Sequence, residues 1–285
     1  VSGALASHLV GSTAKGLNAL AIWPTLYVWG IACLASDLAA LPRPSTTAVV
    51  LLCATAWSVY LVDRAKLRDA WRDPGDEAAN PGRTRWVWSH RWMMRSLAAL
   101  CVLLALGAAW TLAPLLVLAP LTGQAAAWLY AGTPRRAHLS PRLKDDWTLK
   151  NLAAAVGIAG FAVSVVASDT MTPMFEMAGM VGPILLPTVA ADCLLCDIPD
   201  RAGDALNHTR TVPVVFGEAA GRIAAAGLSV LAGAQVLFLT SPVAPGWGWA
   251  VIFSGLASAI LPAGWIRTVV DVRMPLLAVA MMMLT

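Results

Sequence analysis

Asp197, Asp200 and Asp204 stand at i, i+3 and i+7 in the run D-C-L-L-C-D-I-P-D-R-A-G-D that begins at Asp192. On a helix those three positions share one face. Three carboxylates on one face repel each other, and near lipid they are costly. Arg201 and Arg210 offset that charge in part. A hard divalent cation offsets it better, because Mg²⁺ takes oxygen ligands and is usually held by one or two carboxylates plus substrate phosphates. Asp192 lies deeper in the preceding apolar run, as a supporting or packed residue.

A second acidic cluster reads Y-L-V-D-R-A-K-L-R-D-A-W-R-D from Tyr60 to Asp73. Asp63 follows an apolar run directly. Asp69 and Asp73 are spaced i, i+4 and interleave with Arg64, Lys66, Arg68 and Arg72, a pattern an amphipathic surface helix also gives. The third element, Y-A-G-T-P-R-R-A-H-L-S-P-R-L-K-D-D-W-T-L-K-N from Tyr130 to Asn151, offers Arg142, Lys144, Lys150 and Asn151. Cations facing two acidic clusters suit a diphosphate bridged by metal, with Lys as a point charge and Arg as a fork.

The elements that must position these residues are membrane spans. The chain has 285 residues, 58% hydrophobic and 13% charged, with mean hydropathy +0.69. Soluble domains carry roughly 25% charged residues, so a soluble fold is excluded. Apolar runs predict about nine spanning helices, near 17–36, 46–62, 97–113, 115–131, 149–168, 176–196, 219–240, 248–267 and 274–285. The expected fold class is an all-α integral membrane bundle forming one domain over 1–285. Of the 20 Lys and Arg residues, only Arg43 falls in the alternate set of loops. Arg267 and Arg273 are read as flanking the connection between the last two spans. The positive-inside rule then predicts a cytoplasmic N-terminus, with connections 2–3, 4–5, 6–7 and 8–9 on the same side. The pI near 9.0 follows from those loops, so no nucleic-acid partner is expected. Several of the 13 Trp lie near span ends, as an interfacial belt requires.

The five Cys do not form a secreted disulfide framework. Cys193 and Cys196 make a C-x-x-C without a second pair or a neighbouring His, and are read as packing residues. His8, His90, His138 and His208 show no triad or metal spacing.

The run D-I-P-D-R-A-G-D followed by R-T-V-P-V-V-F-G resembles the second aspartate-rich motif of the UbiA superfamily of intramembrane prenyltransferases. R-L-K…K-N is similar to that family's basic 4–5 loop, and the span count agrees. The family's first motif, N-D-x-x-D-x-x-x-D, is altered: Val59 and Tyr60 fall at the leading Asn and Asp, Asp63-Arg64 matches the middle pair, and Leu67 falls at the last Asp. Asp69 replaces that Asp only after a two-residue shift, which requires the helix to end or bend between Asp63 and Asp69.

The resemblance implies Mg²⁺ held by Asp63, Asp69, Asp197, Asp200 and Asp204, with Asp63, Asp200, Asp204 and Lys144 as the catalytic set. It also implies diphosphate binding by Arg64, Arg142, Lys144, Lys150, Asn151 and Arg210. The reaction implied is transfer of a prenyl group from a polyprenyl diphosphate, through an allylic carbocation, to a lipophilic or aromatic acceptor such as a quinone precursor. Its site would be on the cytoplasmic side of the bilayer. The nearest rival is a UbiA-type terpene synthase, which cyclises the same cation. A CDP-alcohol phosphotransferase is disfavoured because no D-G-x-x-A-R run leads into G-x-x-x-D-x-x-x-D. A transporter would keep its ionisable residues near mid-span, and here only Asp192 does so.

Overall fold

The computed structural model describes residues 20–69, 77, 81–131, 146–206, 209–238 and 244–284. Among these there is no strand. The helices are α1 Ile22–Leu38, α2 Thr46–Ala65, α3 Pro81–Ser89, α4 Arg91–Leu112, α5 Leu118–Ala131, α6 Trp147–Asp169, α7 Met174–Leu206, α8 Val212–Phe216, α9 Glu218–Leu237, α10 Ala244–Ile260 and α11 Ala263–Leu284. Nine of the described helices have 14 residues or more. Five of them (α2, α4, α6, α7 and α9) are both long and apolar enough to cross a membrane. The protein is an all-helical, multi-pass membrane bundle.

The helix of the sixth span runs beyond the apolar run to Leu206, through Pro199, and keeps the three acids helical as their spacing predicted. Its 33 residues span roughly 50 Å at 1.5 Å per residue, against about 30 Å of hydrocarbon. The final turns can therefore carry charge beyond the apolar layer while remaining helical.

One expectation is corrected: the last connection lies elsewhere. The expected break between 267 and 274 is absent. The chain turns instead at Leu261 and Pro262, where proline interrupts the helical hydrogen bonding, and α11 starts at Ala263. Arg267, Asp271 and Arg273 therefore lie inside a helix rather than flanking a loop. Polarity pointed to a connection here, but the charges are matched by other helices of the bundle.

α1 packs on α2, α6 and α11; α7 packs on α6, α9 and α11; α4 and α5 lie against α2; α10 packs on α9. Small residues permit the tightest crossings, as in membrane helix pairs generally. A Cβ on Gly30 of α1 would stand 2.6 Å from the Met274 carbonyl carbon of α11. Gly233 of α9 and Gly248 of α10 approach each other in the same way, with a Cβ on Gly233 2.6 Å from the Gly248 carbonyl oxygen.

One end of the bundle is pinned by polar contacts remote from the acidic motif. Arg43 donates to Asp37 through Nε (3.0 Å) and Nη2 (2.8 Å), and Trp247 Nε1 donates to Asp37 Oδ2 at 2.9 Å. Ser45, the N-cap of α2, donates from Oγ to Asp169 at the end of α6 at 2.6 Å.

Candidate active site

α6 begins where Asp146 caps it. Its Oδ1 accepts from Thr148 N and Leu149 N, both at 2.9 Å. These backbone N–H groups, Leu149 foremost, hold the Asp146 carboxyl below the usual carboxylate range. The cap fixes the first turn of α6, and that turn carries Lys150 and Asn151. Trp147 meets Phe216 of α8 edge-on at 5.2 Å, which ties the same turn to the segment following the acidic motif. Gly217, with φ 91°, then makes the corner into α9 in a conformation other residues rarely adopt.

Lys150 and Asn151 both reach α7. Lys150 Nζ donates to Asp197 Oδ1 at 2.6 Å and to Asp204 Oδ2 at 3.5 Å, and Asn151 Nδ2 donates to Asp197 Oδ2 at 3.0 Å. At about 100° per residue, Asp197 and Asp204 point almost the same way and Asp200 about 60° to one side. Asp200 accordingly meets a different helix: Arg267 of α11 donates to it through Nη2, and the same nitrogen reaches the Cys196 carbonyl at 3.3 Å. Each carboxylate of the motif thus has a cation from a neighbouring helix.

Asp63 and Asp69 sit apart from one another. α2 ends at Ala65, between them, and Lys66 takes a positive φ of 45°. Lys66 Nζ contacts Asp63 at 2.7 Å. Arg95 of α4 closes the end of α2 by donating from Nε to the Lys66 carbonyl at 2.7 Å. Arg95 and Arg91 hold Asp69 at 2.8 and 3.3 Å. The hydrogen bond from Arg95, more than any other influence, keeps the exposed Asp69 carboxyl below the usual range. Arg64 feels the charges of Arg83, Arg267, Asp271 and Asp63, and so joins the end of α2 to α11. Arg210 is exposed and within electrostatic reach of Asp146. Arg142, Lys144 and Asp73 lie outside the described residues.

Several polar residues of the bundle escaped sequence reading. Arg267 was taken for a loop charge, and Asp271, one turn further along α11, carried no spacing signal. Asp192, five residues before Asp197 and so about 7.5 Å along the helix, is buried on another face. It accepts from Tyr27 Oη of α1 at 2.7 Å and from Arg273 Nε at 3.2 Å. Arg273 Nη2 stands 2.7 Å from Asp192 Oδ1 without hydrogen-bond alignment, so those two groups meet as charges.

Among the described residues no three Asp, Glu, His or Cys side chains converge as a metal site. The donor chemistry still fits Mg²⁺, since carboxylate oxygens at the end of one helix are ligands of the hard type it takes. Lys150 contacts one oxygen each of Asp197 and Asp204, and Arg267 one of Asp200, so a metal would compete with these cations for the same carboxylates.

The sequence matches no family model and no curated protein. The fold has a solved counterpart, a UbiA homologue from Archaeoglobus fulgidus whose structure was determined bound to DMAPP and Mg2+. The two superpose with a TM-score of 0.63 at 14% identity, over 95% of this chain and 100% of that one. The likeness is one of architecture across the whole bundle, and this chain has the UbiA fold.

Proposed function

We propose that the chain is a membrane-bound, Mg²⁺-dependent enzyme that transfers a prenyl group from a prenyl diphosphate to a lipophilic or aromatic acceptor. The observation that carries this reading is the set Asp197, Asp200 and Asp204 on one face of α7, flanked by Lys150 and Asn151 of α6 and by Arg267 of α11. Carboxylates for a metal and fixed cations for a diphosphate meet there. Support comes from the shared fold with a UbiA homologue whose structure is bound to DMAPP and Mg2+.

Asp197, Asp200 and Asp204 would hold the metal, with Asp63 contributing from the end of α2; Asp69 would have to leave Arg91 and Arg95 to join them. Mg²⁺, when bound, supplies Lewis-acid neutralisation of the departing diphosphate. Lys150, with Arg64, Arg142, Lys144 and Arg210, provides positive charge that need not reorganise as the negative charge develops. Asn151 holds Asp197 in place. The carbon–oxygen bond of the allylic diphosphate breaks with its electron pair leaving on the diphosphate. The allylic cation is then attacked by the acceptor, which loses a proton. Apolar helices around the site exclude the water that would otherwise capture the cation. In the proposed orientation, the site faces the cytoplasm.

Purified protein incubated with Mg²⁺ and a panel of prenyl diphosphates, with and without an aromatic acceptor, tests the reading. A prenylated acceptor supports transfer. A cyclised terpene formed without acceptor replaces transfer by cyclisation.

A further inference from the structure

Arg267 is held by only part of its guanidinium. Nη2 serves both Asp200 and the Cys196 carbonyl, while Nε and Nη1 have no hydrogen-bond partner among the described residues. The side chain is 27% exposed. Asp271, one turn along α11, and Arg64, at the end of α2, are within its electrostatic reach. Nε–H and Nη1–H point to different sides of the guanidinium, and each can donate singly to a phosphate oxygen.

We propose that Arg267 is a diphosphate-binding residue that serves as the counter-ion of Asp200 until the ligand arrives, so that divalent metal and diphosphate bind as one unit. This rests on the reading above. Lys150 offsets one of the two charges of Asp197 and Asp204, and Arg267 offsets that of Asp200. A divalent cation arriving alone would compete with these two internal cations for the same carboxylates and be repelled by them. A diphosphate arriving with the metal supplies the negative charge that Lys150 and Arg267 lose. Each ligand therefore raises affinity for the other, by the reciprocity that binding equilibria require.

Equilibrium dialysis of the full-length, detergent-solubilised protein with Mn²⁺, with and without inorganic pyrophosphate, reads this directly. Wild-type protein is expected to retain Mn²⁺ at least about 10-fold more tightly when pyrophosphate is present. Arg267→Gln is expected to bind Mn²⁺ alone more tightly than wild type, by about 5-fold or more, and pyrophosphate more weakly, so that the coupling shrinks from both sides. Arg267→Lys, which keeps the charge if the neutral variant fails to fold, is expected to keep part of the coupling. A purely structural role for Arg267 would lower both affinities together and overturn the proposal. Equal Mn²⁺ affinity with and without pyrophosphate in wild type would overturn it while leaving the enzymatic reading intact. Absence of Mn²⁺ retention even with pyrophosphate would remove both.

Discussion

Lys150 of α6 stands 2.6 Å from Asp197 of α7, and the same ammonium reaches Asp204 two turns on. The spacing of the acids along α7 and the capped start of α6 together create this bridge. Both carboxylates lose their only direct cation among the described residues if Lys150 is removed. Lys150→Met is expected to lower kcat/KM for a prenyl diphosphate by about 10²- to 10³-fold, the range for losing one charge-stabilising donor. Steady-state kinetics on protein that elutes as wild type in size exclusion checks this, and Lys150→Arg should recover part of the loss.

Asp200 and Asp204 have a different expected signature. Asp200→Ala and Asp204→Ala should each cut turnover by about 10³-fold or more while leaving the bundle folded, since both lie at the end of α7 away from the apolar core. Turnover and circular dichroism, measured on the same preparations, separate the two effects. Wild-type activity in both variants would remove the metal assignment.

Deeper in the bundle, Asp192 and Arg273 form an ion pair with both side chains 4% exposed. Removing one partner strands the other in an apolar interior. Asp192→Leu or Arg273→Met alone is expected to cost about 3–5 kcal/mol of stability, whereas the double variant should recover much of that cost. Thermal unfolding in a fixed detergent gives the comparison. An additive double variant would mean that the pair is not coupled.

Strong acid should loosen the start of α6. The Asp146 carboxyl is held below its ordinary value of 3.8 by the N–H groups it caps. A depressed folded-state pKa contributes stability at any pH above the unfolded value and loses it as pH falls through the folded one. Thermal midpoints should therefore be insensitive to this group above about pH 5 and should fall below pH 4. Asp146→Asn, which still caps but does not titrate, should show a shallower fall.

The crossing of α1 and α11 leaves no room for a side chain at Gly30. A Cβ there would lie 2.6–2.8 Å from backbone atoms of Met274 and Pro275, which cannot swing aside as a side-chain tip could. Gly30→Ala is expected to lower the thermal midpoint, whereas Gly157→Ala on α6, where a Cβ meets nothing within 4 Å, should not. Equal midpoints in the two variants would show that the helices separate at little cost.

Apolar runs made the long helices legible, and the i, i+3, i+7 acids marked the face of α7 that meets Lys150. Lys150 and Asn151 were legible as polar residues of a basic connection on the same side as the acids, although the positive-inside rule alone also accounts for such a loop. Arg267 was not, because a charged residue at the end of an apolar run reads as flanking a connection. Only the packing of α11 on α7 reveals that it has a carboxylate to meet. Asp271 and the partners of Asp192 were hidden for the same reason: contacts between distant helices leave no trace in spacing. Asp69 shows the converse. Its place in the sequence suggested a shifted motif residue, and Arg91 and Arg95 of α4, more than 20 positions away, are its partners.

The most direct test of a metal-dependent prenyl diphosphate enzyme is pyrophosphate release by purified protein from a panel of prenyl diphosphates. It should be followed with Mg²⁺, with a chelator, and with Asp200→Asn. Release with Mg²⁺ that is lost with the chelator and falls by about 10²-fold or more in the variant is the expected result. Release that persists in the variant, or no release from any chain length with or without an aromatic acceptor, would contradict the proposed function.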